Sequence, residues 1–301
     1  MTSSGQPVVS RRGFLALSGG AVAAAVAASR GPSCAADDPP VAFRFGFTSY
    51  QWGKDWDVAA TIANCARAKA FGVELRTSAS YAHGVELEID ARRRKEVRKQ
   101  FEDSPVKLVG LATSEKYDWV EPEKLAAAIE QSKAFVKLSH DVGSGGIRVF
   151  PNDYHREVPR EQTIAQIARA VNAVGAFAAD YGQEIRLEAH GSAGDLPSIR
   201  AIMDQVTQPN VRVKLNSDKR NTEGEGFESQ FNRVKHLLGN TLHLHELDKP
   251  DFPYQLQVNL LRRIGWRGWA LLEASAKVAD RVQALIRQRE IWDELVARSQ
   301  A

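Results

Sequence analysis

The sequence predicts an α/β fold with a single (β/α)8 TIM barrel. Short apolar or alternating segments and longer amphipathic segments follow each other eight times over roughly 260 residues, as in such barrels. The chain has 301 residues, of which 43% are hydrophobic and 26% charged, as expected for one large globular domain. An open doubly wound sheet is the second interpretation, but the segment after the first predicted strand lacks a glycine-rich phosphate turn.

The eight predicted strands are short segments rich in β-branched, aromatic or aliphatic residues. Several end at a turn signal, as the fourth does at Pro151. In chain order they cover residues 43–48, 71–76, 106–112, 145–150, 184–189, 211–216, 241–248 and 268–273.

The predicted helices follow the strands and show start signals. Acidic residues open the first helix at Asp55, and Pro122 lies in the first turn of the third. They cover residues 55–70, 89–101, 121–141, 161–180, a segment beginning near 196, and 227–238, 252–264 and 278–298. The basic run at 91–99 is predicted to be the solvated face of the second helix.

Residues 1–36 are predicted to be an export signal of the twin-arginine type. Arg11 and Arg12 precede a run of small apolar residues that ends near Ala28 and is too short for a lasting transmembrane span. We therefore expect a periplasmic protein without a stable membrane span. Cys34 follows Gly-Pro-Ser, a poor lipidation motif, so no lipid anchor is expected. Residues 37–42 are predicted to be a linker, and 43–299 the barrel.

The charge and the cysteine content argue against nucleic-acid binding, disulfides and cysteine-based zinc sites. Arg11, Arg12 and Arg30 account for the formal net charge of +3, so the rest of the chain is formally neutral. A neutral body argues against nucleic-acid binding, which needs clustered cations. After cleavage only Cys65 would remain, in a predicted helix, which excludes an internal disulfide and a zinc site built on cysteines.

Polar side chains lie at the ends of four successive predicted strands. Glu188, Asn216 and Glu273 end the fifth, sixth and eighth strands. The seventh, T-L-H-L-H-E-L-D, carries His243 and His245 on one face. Because the strands of such a barrel end at one rim, we expect these groups to form one site. Oxygen and nitrogen ligands suit Mn²⁺, Mg²⁺, Co²⁺ or Zn²⁺, and no nucleotide-binding motif is present.

These segments resemble the sugar phosphate isomerase/epimerase superfamily, the xylose isomerase-like TIM barrels. The resemblance covers about residues 43–297 and is most specific in R-L-E-A-H-G, V-K-L-N-S-D, L-H-L-H-E-L and L-L-E-A. It implies that Glu188, Asn216, His243 and Glu273 bind one divalent metal ion. It also implies that Glu188 and Glu273 are the acid/base pair.

The resemblance further implies an activity. An isomerase or epimerase of this superfamily moves a proton next to the carbonyl of a sugar or polyol derivative through an enediolate, with dehydration as a related outcome. Export favours a free or oxidised sugar over a phosphosugar. Related barrels are commonly dimers, which leaves a homodimer open as the assembly.

Other groups near the predicted rim are candidates for substrate contact. Glu246 follows His243 by three residues, where the family often has a further acid. Trp52 either stacks on a sugar or caps the core, and Arg148 either holds substrate or forms a structural salt bridge. The full set is His190, Arg148, Lys214, Asp218, His245, Glu246, Glu74 and Trp52.

Two departures from the family pattern concern the sixth strand. Asn216 occupies the position of an acid, for which Asp218 would substitute if the strand persists. Lys214 shares the face of Asn216 one layer deeper. It either pairs with a carboxylate such as Glu74 or Glu188, binds a substrate oxygen, or forms a Schiff base. A sharper hypothesis is that Lys214 and Asn216 together replace the charge of the metal between the two catalytic glutamates.

Two other functions stay open. One is an exported carbohydrate-binding barrel without catalysis. The other is a zinc-dependent endonuclease for abasic DNA, which the same superfamily contains. That enzyme would need several zinc ions and a basic groove, which a formally neutral body does not provide.

Overall fold

The computed structural model describes residues 43–78 and 80–299, so the predicted export signal and linker lie outside the described residues. Eight parallel strands alternate with eight α-helices, which confirms the predicted (β/α)8 barrel. The strands are β1 Arg44–Thr48, β2 Gly72–Arg76, β3 Lys107–Lys116, β4 Gly146–Phe150, β5 Glu184–Glu188, β6 Val211–Lys214, β7 Thr241–Leu244 and β8 Trp269–Leu272. The helices are α1 Val58–Arg67, α2 Ala91–Glu102, α3 Pro122–Asp141, α4 Arg160–Ala179, α5 Leu196–Met203, α6 Phe227–Val234, α7 Tyr254–Arg263 and α8 Arg281–Ala297.

The sheet closes almost completely into a barrel. Its strand order is β6-β5-β4-β3-β2-β1-β8-β7, and each neighbouring pair is parallel. The remaining gap, between β6 and β7, is spanned by two isolated parallel bridges, Val213 to Leu238 and Asn216 to His243. The second bridge brings the end of the sixth strand beside the histidine of the seventh.

Alternation along the strands separates an apolar set from a polar set. Leu75 on β2 and Leu187 on β5 belong to the buried core that the strands share with the helices. The intervening residues, such as Glu74, Arg186 and Glu188, face the barrel interior and are also buried. The interior of this barrel is therefore largely polar, with charged layers beneath the rim.

Side-chain caps explain why several helices begin later than predicted. The carboxylates of Asp57 and Asp90 accept hydrogen bonds from backbone N–H groups of α1 and α2, and Asp280 does the same for α8. The basic helix α2 is largely exposed apart from Val97 and Phe101, as predicted. Among the helices of the described ranges, none is both long and apolar enough to cross a membrane.

Three strand ends differ from the prediction by more than one residue. β3 continues past residue 112 to Lys116, with an irregular register against β4. β6 ends at Lys214 and β7 at Leu244, so Asn216 and His245 lie just beyond their strands. The ends of β6 and β7 matter most, because the predicted site residues lie there.

Candidate functional site

Three predicted metal ligands meet at the carboxyl ends of the strands. Nδ1 of His243 lies 3.4 Å from Oε2 of Glu188 and 3.4 Å from Oε2 of Glu273. The three side chains offer ligand atoms that all lie within 4.8 Å of one another. His243 and Glu188 are almost fully buried, while Glu273 retains 8% of its exposure and is the most accessible of the three.

A third carboxylate, that of Glu74, orients His243 from deeper in the barrel. Nε2 of His243 lies 2.7 Å from Oε1 of Glu74, and Thr48 Oγ1 is 3.1 Å from the same nitrogen. An ionised carboxylate only accepts hydrogen bonds, so Nε2 is the donor to Glu74. This leaves the lone pair of Nδ1 directed towards Glu188 and Glu273 when the imidazole is neutral. A carboxylate behind a histidine is the arrangement that fixes metal-binding imidazoles.

Lys214 forms a buried ion pair with Glu74. Its Nζ lies 2.6 and 2.5 Å from the two oxygens of Glu74, and neither side chain is exposed. Of the three interpretations of Lys214, the structure shows the ion pair with a carboxylate. Within residues 43–78 and 80–299 the ion pair of Lys214 is with Glu74 and not with Glu188 or Glu273, which argues against its replacing the metal there. The hypothesis that Lys214 and Asn216 together replace the charge of the metal stays a prediction. Lys214 and Glu74 form the floor of the site and do not line its mouth.

The cation next to Glu188 is Arg148. Its Nη1 donates to Oε2 of Glu188 at 2.7 Å, and the guanidinium is 1% exposed. The other oxygen, Oε1, accepts from Nδ2 of Asn216 at 2.9 Å. Both oxygens of Glu188 thus already have a donor. The guanidinium also lies 4.0 Å from the ring centroid of Phe150, which holds its plane.

The buried charges shift each other's ionisation. Burial acts to raise the pKa of Glu188, but the positive charges of Arg148 and His243 outweigh it, and the pKa lies well below its ordinary value. The pKa of Glu74 is lowered in the same way by Lys214 and His243. Burial and Lys214 act to lower the pKa of His243, but the carboxylates around it prevail and raise it. All these contacts favour the ionised carboxylates.

The donor set fits a divalent metal ion. Nδ1 of His243 and Oδ1 of Asn216 are buried and have no hydrogen-bond partner within residues 43–78 and 80–299. A lone pair that faces two carboxylate oxygens is stable only if a positive charge lies between them, either a proton on Nδ1 or a metal ion. The buried cluster of Glu188, His243 and Glu273 can therefore bind a divalent ion, and Asn216, whose amide N–H donates to Glu188, offers a further unpartnered oxygen.

The mouth of the site carries aromatic and cationic groups. Arg76 Nη1 is 3.7 Å from Oε1 of Glu273, and its guanidinium lies over the ring of Tyr50 at 4.9 Å. On the opposite side the exposed imidazole of His190 packs against Phe150, with 4.5 Å between ring centroids. Of the substrate-binding predictions, Arg148 contacts the cluster directly, and His190 packs on the ring over which Arg148 lies.

Four other predicted substrate contacts have different partners. Asp218 lies beyond β6, caps a short 3-10 helix and pairs with Arg220, so the strand does not persist to it and Asp218 does not replace the missing acid. Glu246 accepts backbone hydrogen bonds from the loop after β8, which with Lys249 lowers its pKa to about 2 although burial acts to raise it.

The other two of the four are Trp52 and His245. The Trp52 indole donates to Ala276 O in that same loop, so Trp52 belongs to the core. His245 is half-buried, with Nδ1 3.4 Å from the carbonyl oxygen of Glu273.

Sequence reasoning missed two contributors to the site, Thr48 and Arg76. Thr48 contacts the imidazole and Arg76 pairs with Glu273, while Glu74, predicted as a substrate contact or a partner of Lys214, orients His243. Thr48 and Arg76 lie at inward-facing positions at the ends of β1 and β2. Applying the two-residue alternation of the strands to β1 and β2 would have found them.

The comparisons with known proteins agree with this architecture. Residues 62–295 match the family described as the xylose isomerase-like TIM barrel. Similar solved structures include L-ribulose 3-epimerase, at 15% identity and a TM-score of 0.72, over 85% of this chain and 95% of that one. They also include the IOLI protein with a bound zinc atom, at 13% and 0.73, over 86% and 100%.

A third similar structure is 3-keto-D-glucoside 4-epimerase, YcjR, from E. coli, at 13% identity and a TM-score of 0.67, over 84% of this chain and 99% of that one. No curated relative matches the chain in sequence. At these identities the structural likeness shows the shared fold. The family match extends over most of the chain, and the chain therefore belongs to the xylose isomerase-like TIM-barrel family.

Proposed function

We propose that this protein is a divalent-metal-dependent isomerase or epimerase that moves a proton on the carbon next to a carbonyl group of a sugar or polyol derivative. One observation carries the proposal: the unpartnered Nδ1 of His243 lies 3.4 Å from both Glu188 and Glu273 in a buried cluster. The names of the structural neighbours, two of them sugar epimerases, support a sugar as the substrate.

The residues of the cluster have distinct parts in this proposal. Glu188, Asn216, His243 and Glu273 would hold the metal ion. When bound, a divalent ion stabilises negative charge on substrate oxygens as the adjacent carbon loses its proton. Glu273 suits the first proton transfer, because it is the most exposed ligand and the guanidinium paired with it, that of Arg76, is 3.7 Å away. Glu188, which its contacts keep ionised, would have to gain a proton before returning one from its own side of the substrate, as an epimerase requires; in an isomerase Glu273 would return its own proton to the neighbouring carbon.

Metal content tests the first half of the proposal. Protein purified without chelator should carry about one divalent ion per chain by mass spectrometry, and Glu188→Gln or His243→Ala should lose it. Glu184→Gln is the matched control, because Glu184 lies on the same strand at the opposite end of the barrel and pairs with Arg186. A protein that neither contains nor takes up Mn²⁺, Mg²⁺, Co²⁺ or Zn²⁺ would contradict the proposal.

Proton exchange tests the second half. In D₂O, the metal-loaded protein should introduce deuterium next to the carbonyl of at least one ketose or keto-glycoside, as seen by NMR. Glu273→Gln should abolish the exchange even in excess Mn²⁺, which offsets the lost ligand charge. Loaded protein that exchanges no proton in any ketose or keto-glycoside supplied would refute catalysis.

A carbohydrate-binding barrel without catalysis is the second candidate. Its specific support is that Arg148 and Asn216 already occupy both oxygens of Glu188. In that case the Glu188→Gln and Glu273→Gln variants would keep nearly all their sugar affinity, and the wild-type protein would exchange no protons.

We also propose that residues 1–36 direct export through the twin-arginine route, with the barrel acting in the periplasm. Their fusion to a reporter should be exported, and replacing Arg11 and Arg12 with lysine should stop it. Export of the lysine variant at the wild-type rate would refute this route. We further propose that the protein is a homodimer. Light scattering, which measures the molar mass in solution, tests this assembly.

A further inference from the structure

Arg148 has a complete hydrogen-bonding edge that the site does not use. Nη1 is bound to Glu188, but Nε and Nη2 are buried and have no partner among residues 43–78 and 80–299. In an arginine these two nitrogens present parallel N–H bonds on one side of the guanidinium plane, a fork that matches the two oxygens of a carboxylate. Two unsatisfied donors on a fully buried cation are costly unless a ligand supplies acceptors.

The position of the fork relates it to the reacting centre. The guanidinium holds Glu188 directly, and its charge also acts on Glu273 and Glu74. Phe150 holds one face of its plane at 4.0 Å. A ligand bound by the fork would therefore lie beside the proposed acid/base pair, with its orientation set by two hydrogen bonds and not one.

The charge balance of the site favours an anionic ligand. Three carboxylates (Glu74, Glu188 and Glu273) meet three cations (Arg76, Arg148 and Lys214), so these groups are balanced before any metal binds. A divalent ion in the cluster would leave a surplus of positive charge. A neutral sugar would leave that surplus uncompensated, whereas a carboxylate would reduce it.

We propose that the substrate is a carboxylated sugar derivative, such as a uronic or aldonic acid, and that its carboxylate binds the Nε and Nη2 edge of Arg148. This inference deepens the proposed function and rests on it for the chemistry. The guanidinium lies over the ring of Phe150, on which the exposed His190 packs, so we expect this aromatic pair to shift when the ligand enters.

The test compares carboxylates with neutral molecules of the same skeleton by titration calorimetry, with Mn²⁺ present and ionic strength held constant. The pairs are glycolate with ethylene glycol, D-glycerate with glycerol, D-gluconate with D-glucitol, and D-glucuronate with D-glucose. At least one carboxylate should bind about 10- to 100-fold more tightly than its neutral counterpart, the range expected for a charge-assisted pair. Equal binding within every pair, or no carboxylate binding at all, would overturn the inference.

Variants assign the preference to the fork. Arg148→Lys keeps the positive charge but has no fork, and it should lose most of the preference for the carboxylate. Arg186→Gln is the control, because Arg186 is a buried barrel arginine whose partners, Glu184 and the carbonyl of Val109, lie away from the rim. A carboxylate preference that survives in Arg148→Lys would overturn the assignment. If the Arg148 variants fail to fold, the wild-type comparison alone still decides the carboxylate class.

Failure of this inference is distinguishable from failure of the proposed function. Deuterium exchange into neutral ketoses, without any carboxylate preference, would leave the isomerase proposal standing and refute the carboxylate. Carboxylate binding lost in Arg148→Lys, without exchange in any substrate, would keep the binding site and refute the catalysis.

Discussion

Replacing Lys214 with methionine tests how strongly the buried ion pair between Lys214 and Glu74 stabilises the protein. The change removes the only lysine that contacts the buried carboxylate of Glu74 in the described structure, and keeps most of the side-chain volume. The carboxylate of Glu74 would then rely on the hydrogen bonds from His243 and Thr48. We expect a large loss of stability, because an unpaired buried charge is among the costliest defects in a protein.

The size of the stability loss follows from the burial of the ion pair. Both side chains of the pair are 0% exposed, so solvent offers no compensation when one partner is removed. Breaking such a pair costs about 3–5 kcal/mol, and at about 2–4 °C per kcal/mol this lowers Tm by roughly 6–20 °C. The double variant Glu74→Gln with Lys214→Met removes both charges and should recover most of the loss, a coupling of at least about 2 kcal/mol.

Urea unfolding followed by circular dichroism measures these differences. The matched control is Lys99→Met, which removes a lysine from a solvent-exposed pair with Asp103 and should leave the urea midpoint unchanged. The lowered pKa of Glu74 means that its contribution is present above about pH 4.3 and is lost as the pH falls. The reasoning is refuted if Lys214→Met costs no more than Lys99→Met, or if the double variant is less stable than either single variant.

Three further predictions concern packing, pH and the metal. Gly72→Ala places a methyl group 2.3 Å from the ring of Trp269, so it should cost about 1–3 kcal/mol by urea unfolding, and an unchanged midpoint would contradict this packing. Burial raises the pKa of Glu115 to about 7, so ionisation opposes folding increasingly from about pH 4.3 upwards; Glu115→Gln should be more stable than wild type at pH 8 and equal to it at pH 4. Asn216→Asp should tighten Mn²⁺ binding roughly thirty-fold by calorimetry, since an added unit charge about 4 Å from a dication contributes about 2 kcal/mol even in water; unchanged affinity would place Asn216 outside the metal site.

The regular elements could be predicted because their signals are local. Strand four was predicted at 145–150 and is found at Gly146–Phe150, since a short apolar run closed by Pro151 leaves little choice. Helix ends were less certain, because the capping side chain decides them. The last helix was predicted from residue 278 and starts at Arg281, after the Asp280 cap.

The alternation of side chains also predicted which residues share the site. Glu188, Asn216, His243 and Glu273 were expected at one rim, and the barrel brings them together there. Their roles in metal binding and catalysis stay predictions. Asp218 was expected to replace the missing acid only if β6 persisted to it; β6 ends at Lys214, and a strand end depends on the neighbour with which it pairs.

The sequence alone determined the eight repeated units, the order of the strands in the chain and the inward face of the strands that carry the predicted site, because periodicity acts between residues a few positions apart. Only the tertiary structure decided the pairing across the barrel interior. Lys214 meets Glu74, which is 140 positions away, and Arg148 meets Glu188, leaving the fork of Arg148 without a partner. Those choices depend on how far apart opposite strands lie once the barrel closes, and no local pattern in the chain encodes that distance.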